Sequence, residues 1–300
     1  MNQAPAQDIQ SGDVTRVSAV RLVKSGMIER MSRTRLGAAA AGIAAAVALS
    51  ACSASVGGAP VGDPAATSAT VAVPSGESAA DTVWSAIPEV EAAAAPKRSV
   101  ITQTLPDGAT VTCTAGPAVA AEAARGHLGY VAAAHCDKGP GTVTVGSEST
   151  APYTGTIAGT YGATVTWGAS NATATVVGGH RKVRGVLTPE ATRGLAFHTP
   201  VCVDGAVSGA RCGLLVDADG EGIEAKVDTV AGDSGSPMFL VGERGVVLIG
   251  LVEESATPYT HAAHLAPLFD KLGAVALVDE ATAVDTKSNP GYSHSVTTVQ

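Results

Sequence analysis

The sequence predicts an all-β domain, a sandwich or barrel of many short strands, and three observations carry that prediction. Hydrophobic residues fill 45% of the 300 positions but aromatics only 3%, so a core must be built from Val, Ala, Leu and Ile. Glycine (35) and proline (16) punctuate the chain often enough to favour turns over long helices. From about residue 99 onwards, β-branched runs alternate with Gly, Pro, Asp and Asn turns.

The expected strands, in order, are "SVITQTL" (99–105), "ATVTCTA" (109–115), "LGYVAAAHC" (128–136), "GTVTV" (141–145), "YTGTIAGTY" (153–161) and "ATVTW" (163–167). They continue with "TATVVGG" (173–179), "GVLTP" (185–189), "EAKVDTV" (224–230) and "PMFLVGERGVVLIGLV" (237–252). Only 263–276 has helical spacing, with Leu265, Leu268, Phe269 and Leu272 on one face. The polar stretch 281–300 reads as a disordered tail.

The front of the chain is an export signal. Residues 1–26 form an extension, and Met27 or Met31 is the more natural start. Arg30, Arg33 and Arg35 then precede an apolar run from Leu36 to Leu49. That run is shorter than the roughly 20 residues of a membrane span and fits a signal-peptide core. It ends in "LSAC", which resembles the bacterial lipobox, so 27–52 reads as a lipoprotein-type signal with Cys52 lipidated. An ordinary signal peptide with a chance cysteine is the alternative. Residues 53–97, rich in Ala, Ser, Gly and Pro, read as a flexible tether. Its apolar knot "WSAIPEV" (84–90) reads as a local contact with the domain, or else as a remnant segment covering a site.

Formal charge is −8, and residues 52–300 alone carry 13 basic and 24 acidic residues. An acidic body without a basic patch excludes nucleic acid as the expected partner. With Cys52 set aside, Cys113, Cys136, Cys202 and Cys212 remain, an even number in an exported chain, which reads as two disulfides. Proximity pairs Cys113–Cys136 and Cys202–Cys212, although sequence alone permits three connectivities. No two cysteines have C-x-x-C spacing, so zinc is the weaker reading and no metal or other cofactor is expected.

Two stretches carry chemistry. In "AGDSGSP" (231–237) Ser234 lies between glycines, which let successive N–H groups turn toward one spot, as an oxyanion hole of Gly232 and Ser234 requires. A serine needs a base to become a nucleophile, and His135, at the end of an apolar strand and beside Cys136, is the candidate. Taken singly, each has an ordinary reading, a turn and a core histidine.

Together the two stretches resemble chymotrypsin-like serine proteases: "AAAHC" matches A-A-H-C and "GDSGSP" matches G-D-S-G-[GS]-P. "CVDGAVSGARCG" (202–213), "CTAG" at Cys113 and "THAAHLAPLFDKLGA" (260–274) are similar to the streptogrisin and α-lytic protease branch. The resemblance spans roughly 98–280. It implies two six-stranded antiparallel β-barrels with a short C-terminal helix, a peptide or protein substrate in the cleft, and a monomeric enzyme. It also implies Ser234 as nucleophile and His135 as base.

The sequence departs from that pattern in three places. No aspartate occurs between Asp137 and Asp204, where the third triad member belongs; the alignable stretch offers Asn171 or Ala172. Glu253, on the strand after the nucleophile, falls where a carboxylate can reach the histidine from another side. Asp228 lies six residues before Ser234, where trypsins have a pocket-floor aspartate, and Glu254 adds acidity at the cleft edge. Finally, Val203 replaces the arginine that neutralises the buried aspartate of bacterial relatives, which leaves Asp233 to Arg181, Arg184, Arg193 or a processed amino terminus. The competing expectation is a catalytically inactive scaffold retained for extracytoplasmic binding.

Overall fold

A computed structural model describes residues 79, 82–169 and 175–299; Cys52, the signal segment and Asn171 lie outside the described residues. The expected all-β architecture is present, in two lobes.

In the first lobe, Thr110–Thr114, Val100–Thr104, Thr142–Val145 and Glu148–Thr150 pair in that order as a four-stranded sheet. Ala118–Ala121, Ala124–Ala133, Ala163–Trp167 and Thr154–Ile157 pair in that order in a second sheet. Between them lies a core of small side chains: Ile101, Ala118, Ala120, Ala132, Ala133 and Val143. Strand Val100–Thr104 alternates half-buried and buried positions, as a pleated strand with one covered face must.

The second lobe is a closed barrel of six strands. Pro200–Gly205, Gly209–Ala218, Ile223–Lys226, Tyr259–His264, Gly245–Ala256 and Pro237–Gly242 pair in sequence, and the last returns to the first. Closure leaves no free edge. Its interior takes the larger side chains, among them Met238, Leu240, Ile249, Leu215 and Ile223, all at most 2% exposed. Each such side chain contributes about 1.5–3 kcal/mol by leaving water.

Both disulfides form as paired by proximity, Cys113–Cys136 and Cys202–Cys212. Arg98 ties neighbouring segments together through their backbone carbonyls. Arg98, just before the first strand, donates to the carbonyls of Ala115, Gly116 and Val176, and Asp204 of the barrel lies close enough to oppose the lowering of its pKa by burial. Burial in turn raises the Asp204 carboxyl, against the pull of Arg98 and of the Gly178 N–H at 2.8 Å.

Three sequence expectations need correction. The end of the tether is docked: Ser85 bridges Val241, Ile87 is 4% exposed, and Glu89–Ala94 forms one helical turn and a half against strand Gly209–Ala218. This agrees with the local-contact reading of 84–90. The tail is also ordered through 299. Val296–Thr298 adds in parallel to Ala274–Val278, and Tyr292 is 1% exposed over Gly185, where a Cβ would meet its ring at 3.0 Å. A polar composition concealed this because the tail contributes backbone pairing and one aromatic anchor rather than a hydrophobic face. Lastly, the helix runs only Leu265–Leu272; Gly273, left-handed at φ 60°, ends it, and Ala274–Val278 is a strand.

Candidate active site

His135 is placed by the first lobe. Strand Ala124–Ala133 runs into a single 3-10 turn, Ala134–Cys136, and the disulfide to Cys113 pins that turn to the neighbouring sheet. The imidazole remains half exposed. Both sulfurs beside it are bound to one another, so no thiolate is available there to hold a metal.

Ser234 comes from the second lobe, at the lip of the barrel. Gly232 and Gly235 hold φ of 96° and 89°, a region that L side chains rarely adopt. Space forbids a side chain as well: a Cβ on Gly235 would lie 2.6 Å from the Thr114 carbonyl, and one on Gly232 would lie 2.8 Å from Val207 Cγ2. The Gly235 site also sits 3.4 Å from Ala132 Cα and Ala133 N, two residues before His135. The serine loop thus packs directly on the strand that delivers the histidine.

The orientation of the loop follows from where its carbonyls go. Thr114 N–H donates to Ser234 O and Thr114 Oγ1 to Gly232 O, each at 2.9 Å, while Gly235 N–H donates to Val252 O at 2.7 Å. Among the described residues, neither the Gly232 nor the Ser234 N–H donates to a protein acceptor. Two N–H groups left free beside a serine hydroxyl are what an oxyanion site needs. Thr114 was not singled out from the sequence. Its signal was its place directly after Cys113, and the Ala206 N–H completes its hydroxyl's bonding at 2.9 Å.

Asp233 is fully buried, and among the described residues backbone N–H groups, not an arginine, are its partners. Its Oδ1 accepts from the N–H groups of Val207 (3.0 Å) and Ser208 (3.1 Å), and its Oδ2 from Val230 (3.0 Å). Arg181, one of the expected partners, pairs instead with Glu91 at 2.7 Å. Backbone donors satisfy a buried carboxylate as well as a cation does, and no sequence pattern announces them.

Glu253 lies beside His135. Its Oε2 is 3.6 Å from His135 Nδ1. It stands at a bulge, where pairing shifts from Val252↔Ala262 to Glu254↔His261, so Val252 and Glu253 are both buried and Glu254 is exposed. Val252 also receives Gly235 N–H and donates to Ser236 O, which couples Glu253 to the serine loop by backbone bonds. Neither carboxylate oxygen finds a hydrogen-bond partner among the described residues. Burial pushes the Glu253 carboxyl up to about 7, and the nearby His135 pulls it down.

Asp228 does not floor a pocket. It is exposed between buried Val227 and Thr229, just past the end of strand Ile223–Lys226; the inward position belongs to Thr229, whose hydroxyl meets Ser255 Oγ at 2.6 Å and Thr260 Oγ1 at 2.8 Å. Glu254 belongs to an acidic rim. Burial, followed by the carboxylates of Asp219, Glu221, Glu254 and Glu224, holds the Tyr161 phenol above its ordinary range.

No protein-family profile matches the chain, and no curated protein sequence matches it. Among solved structures it is similar to Thermobifida fusca protease A, at 19% identity over 56% of this chain and 92% of that one, TM-score 0.44. It is also similar to a Cellulomonas bogoriensis chymotrypsin, at 17% identity over 61% and 97%, TM-score 0.45. A third is the Nocardiopsis protease, at 19% identity over 59% and 96%, TM-score 0.45. These are proteases, the class that the serine, histidine and cysteine motifs resemble; what this chain does is inferred from its own residues.

Proposed function

We propose that this chain is an exported serine peptidase whose triad carboxylate is Glu253, supplied by the serine's own lobe. The observation that carries the reading is the buried Glu253 carboxylate at 3.6 Å from His135 Nδ1, with no hydrogen-bond partner among the described residues. It provides a carboxylate where residues 138–203 offer no aspartate, and with it the role of Asn171 becomes unnecessary.

In this reading Glu253 fixes Nδ1, and Nε2 takes the Ser234 Oγ proton as Oγ bonds to the scissile carbonyl carbon. The oxyanion rests on the Gly232 and Ser234 N–H groups. The C–N bond breaks as His135 passes the proton to the leaving amine, and water reverses the sequence to release the acid. The substrate is a peptide or protein, and no cofactor takes part. Two disulfides support an oxidising, extracytoplasmic location, with a lipid on Cys52 as the proposed anchor.

A fluorophosphonate probe tests the reading. We expect one adduct, on Ser234, abolished in Ser234→Ala and His135→Ala and slowed at least about a hundredfold in Glu253→Gln. A wild-type protein that takes no label at any pH between 5 and 9 would instead establish an inactive binding scaffold.

A further inference from the structure

We propose that Lys97, in the docked segment before the first strand, is a positioning residue for the oxyanion site, acting through a single peptide unit of the hairpin tip at 205–209. The proposal rests on the hydrolytic reading above for its effect on rate, but not for its effect on structure.

Lys97 Nζ donates to the Val207 carbonyl, and its stem lies along Gly209, where a Cβ would meet Lys97 Cγ at 3.7 Å. Val207 O and Ser208 N–H belong to the same peptide. That N–H, with the one before it, holds Asp233 Oδ1 at 3.1 and 3.0 Å, and Asp233 immediately precedes Ser234. The Val207 side chain packs on Gly232, and a Cβ on Gly205 would clash with Asp233 Oδ1 at 2.2 Å, so the tip and the serine loop interlock. Rotation of the 207–208 peptide would turn a carbonyl toward the buried carboxylate. The ammonium of Lys97 opposes that rotation from the solvent side.

Lys97 is itself held in place from behind. Ser85 N–H bonds Val241 O at 3.0 Å, Ile87 N–H bonds Cys212 Sγ at 3.3 Å, and Glu91 pairs with Arg181 at 2.7 Å. Residues 85–97 therefore form a strap across the Cys202–Cys212 hairpin whose last side chain fixes the hairpin's tip.

The test compares Lys97→Met, Lys97→Arg and the surface control Lys271→Met, each as the full chain. Amide chemical shifts and hydrogen exchange are followed at Val207, Ser208, Gly232 and Ser234. We expect Lys97→Met to shift these amides and speed Ser208 exchange at least about tenfold, with Lys97→Arg near wild type and Lys271→Met unchanged. On a chromogenic peptide, kcat should fall about tenfold in Lys97→Met with KM within about twofold, because the loss is felt in the transition state. Unmoved amides overturn the proposal, as does a raised KM at unchanged kcat. Shifted amides in a protein whose wild type takes no fluorophosphonate would uphold the positioning role and overturn the hydrolytic reading instead.

Discussion

The serine loop and the bulge opposite it each bury one carboxylate, and the two are treated in opposite ways. Asp233 is met by three backbone N–H donors within 3.1 Å. Among the described residues Glu253, 5% exposed, is met by none, and the imidazole of His135 lies 3.6 Å away. A buried carboxylate with its donors in place is part of the architecture. One without them is costly to keep, and in this molecule it faces the one group whose charge it could balance during a reaction. The difference teaches that the two acids, twenty positions apart, are held for different ends: Asp233 is built into the loop, and Glu253 is the one that the proposed reading gives to the histidine.

Removing the satisfied acid should do the most damage. Asp233→Ala leaves three backbone donors without their carboxylate, and denaturant titration should register a loss of about 2–4 kcal/mol together with loss of labelling at Ser234. A loss below about 1 kcal/mol would mean that the three hydrogen bonds do not hold the loop.

The unsatisfied acid should behave in reverse. Because burial raises the folded-state pKa of Glu253 to about 7 from an ordinary 4.5, the folded protein keeps a proton that the unfolded chain has released. Its contribution is full below about pH 4.5 and is lost as pH rises through about 7. Relative to Glu253→Gln, wild type should therefore lose up to about 3 kcal/mol between pH 4.5 and 8, even as the variant loses turnover by a factor of about 10² to 10⁴. Urea titrations at both pH values check this; a variant less stable than wild type at pH 8 would end the contrast with Asp233. The same ionisation of Glu253 predicts that wild-type kcat/KM climbs with pH through about 7.

Thr114→Val probes what the two regions share. It removes a hydroxyl that bonds Gly232 O and Ala206 N–H while keeping the shape, and should cost about 1–2 kcal/mol by thermal unfolding. The smallest effect belongs to Glu254→Gln on the acidic rim. Stability should stay within about 0.5 kcal/mol. Asp228→Asn, at an exposed position, should leave discrimination between Arg-ending and Phe-ending peptides unchanged within about twofold.

Much of this was legible in the chain. Period-two alternation, Gly and Pro spacing and cysteine proximity depend on neighbours in sequence, so the β architecture and both disulfides could be read directly, while the Ser234 and His135 loops were picked out by their resemblance to the protease motifs. The carboxylate was only a candidate, because nothing local distinguishes Glu253 from Glu254. A bulge in the ladder with 259–264 decides which of the two is buried, and that depends on pairing across the barrel. The docked stretch 91–97, beyond the expected contact at 84–90, and the tail 281–299 read otherwise in the sequence for a related reason: composition reports what a stretch can bury alone, not the edge or groove that another part of the chain offers it. The sequence by itself determined which residue types were available for chemistry and which local turns present them. Only the tertiary structure decided which carboxylate stands beside His135 and how Asp233 is held. Those choices rest on hydrogen bonds and registers between residues distant in the chain, which no local pattern encodes.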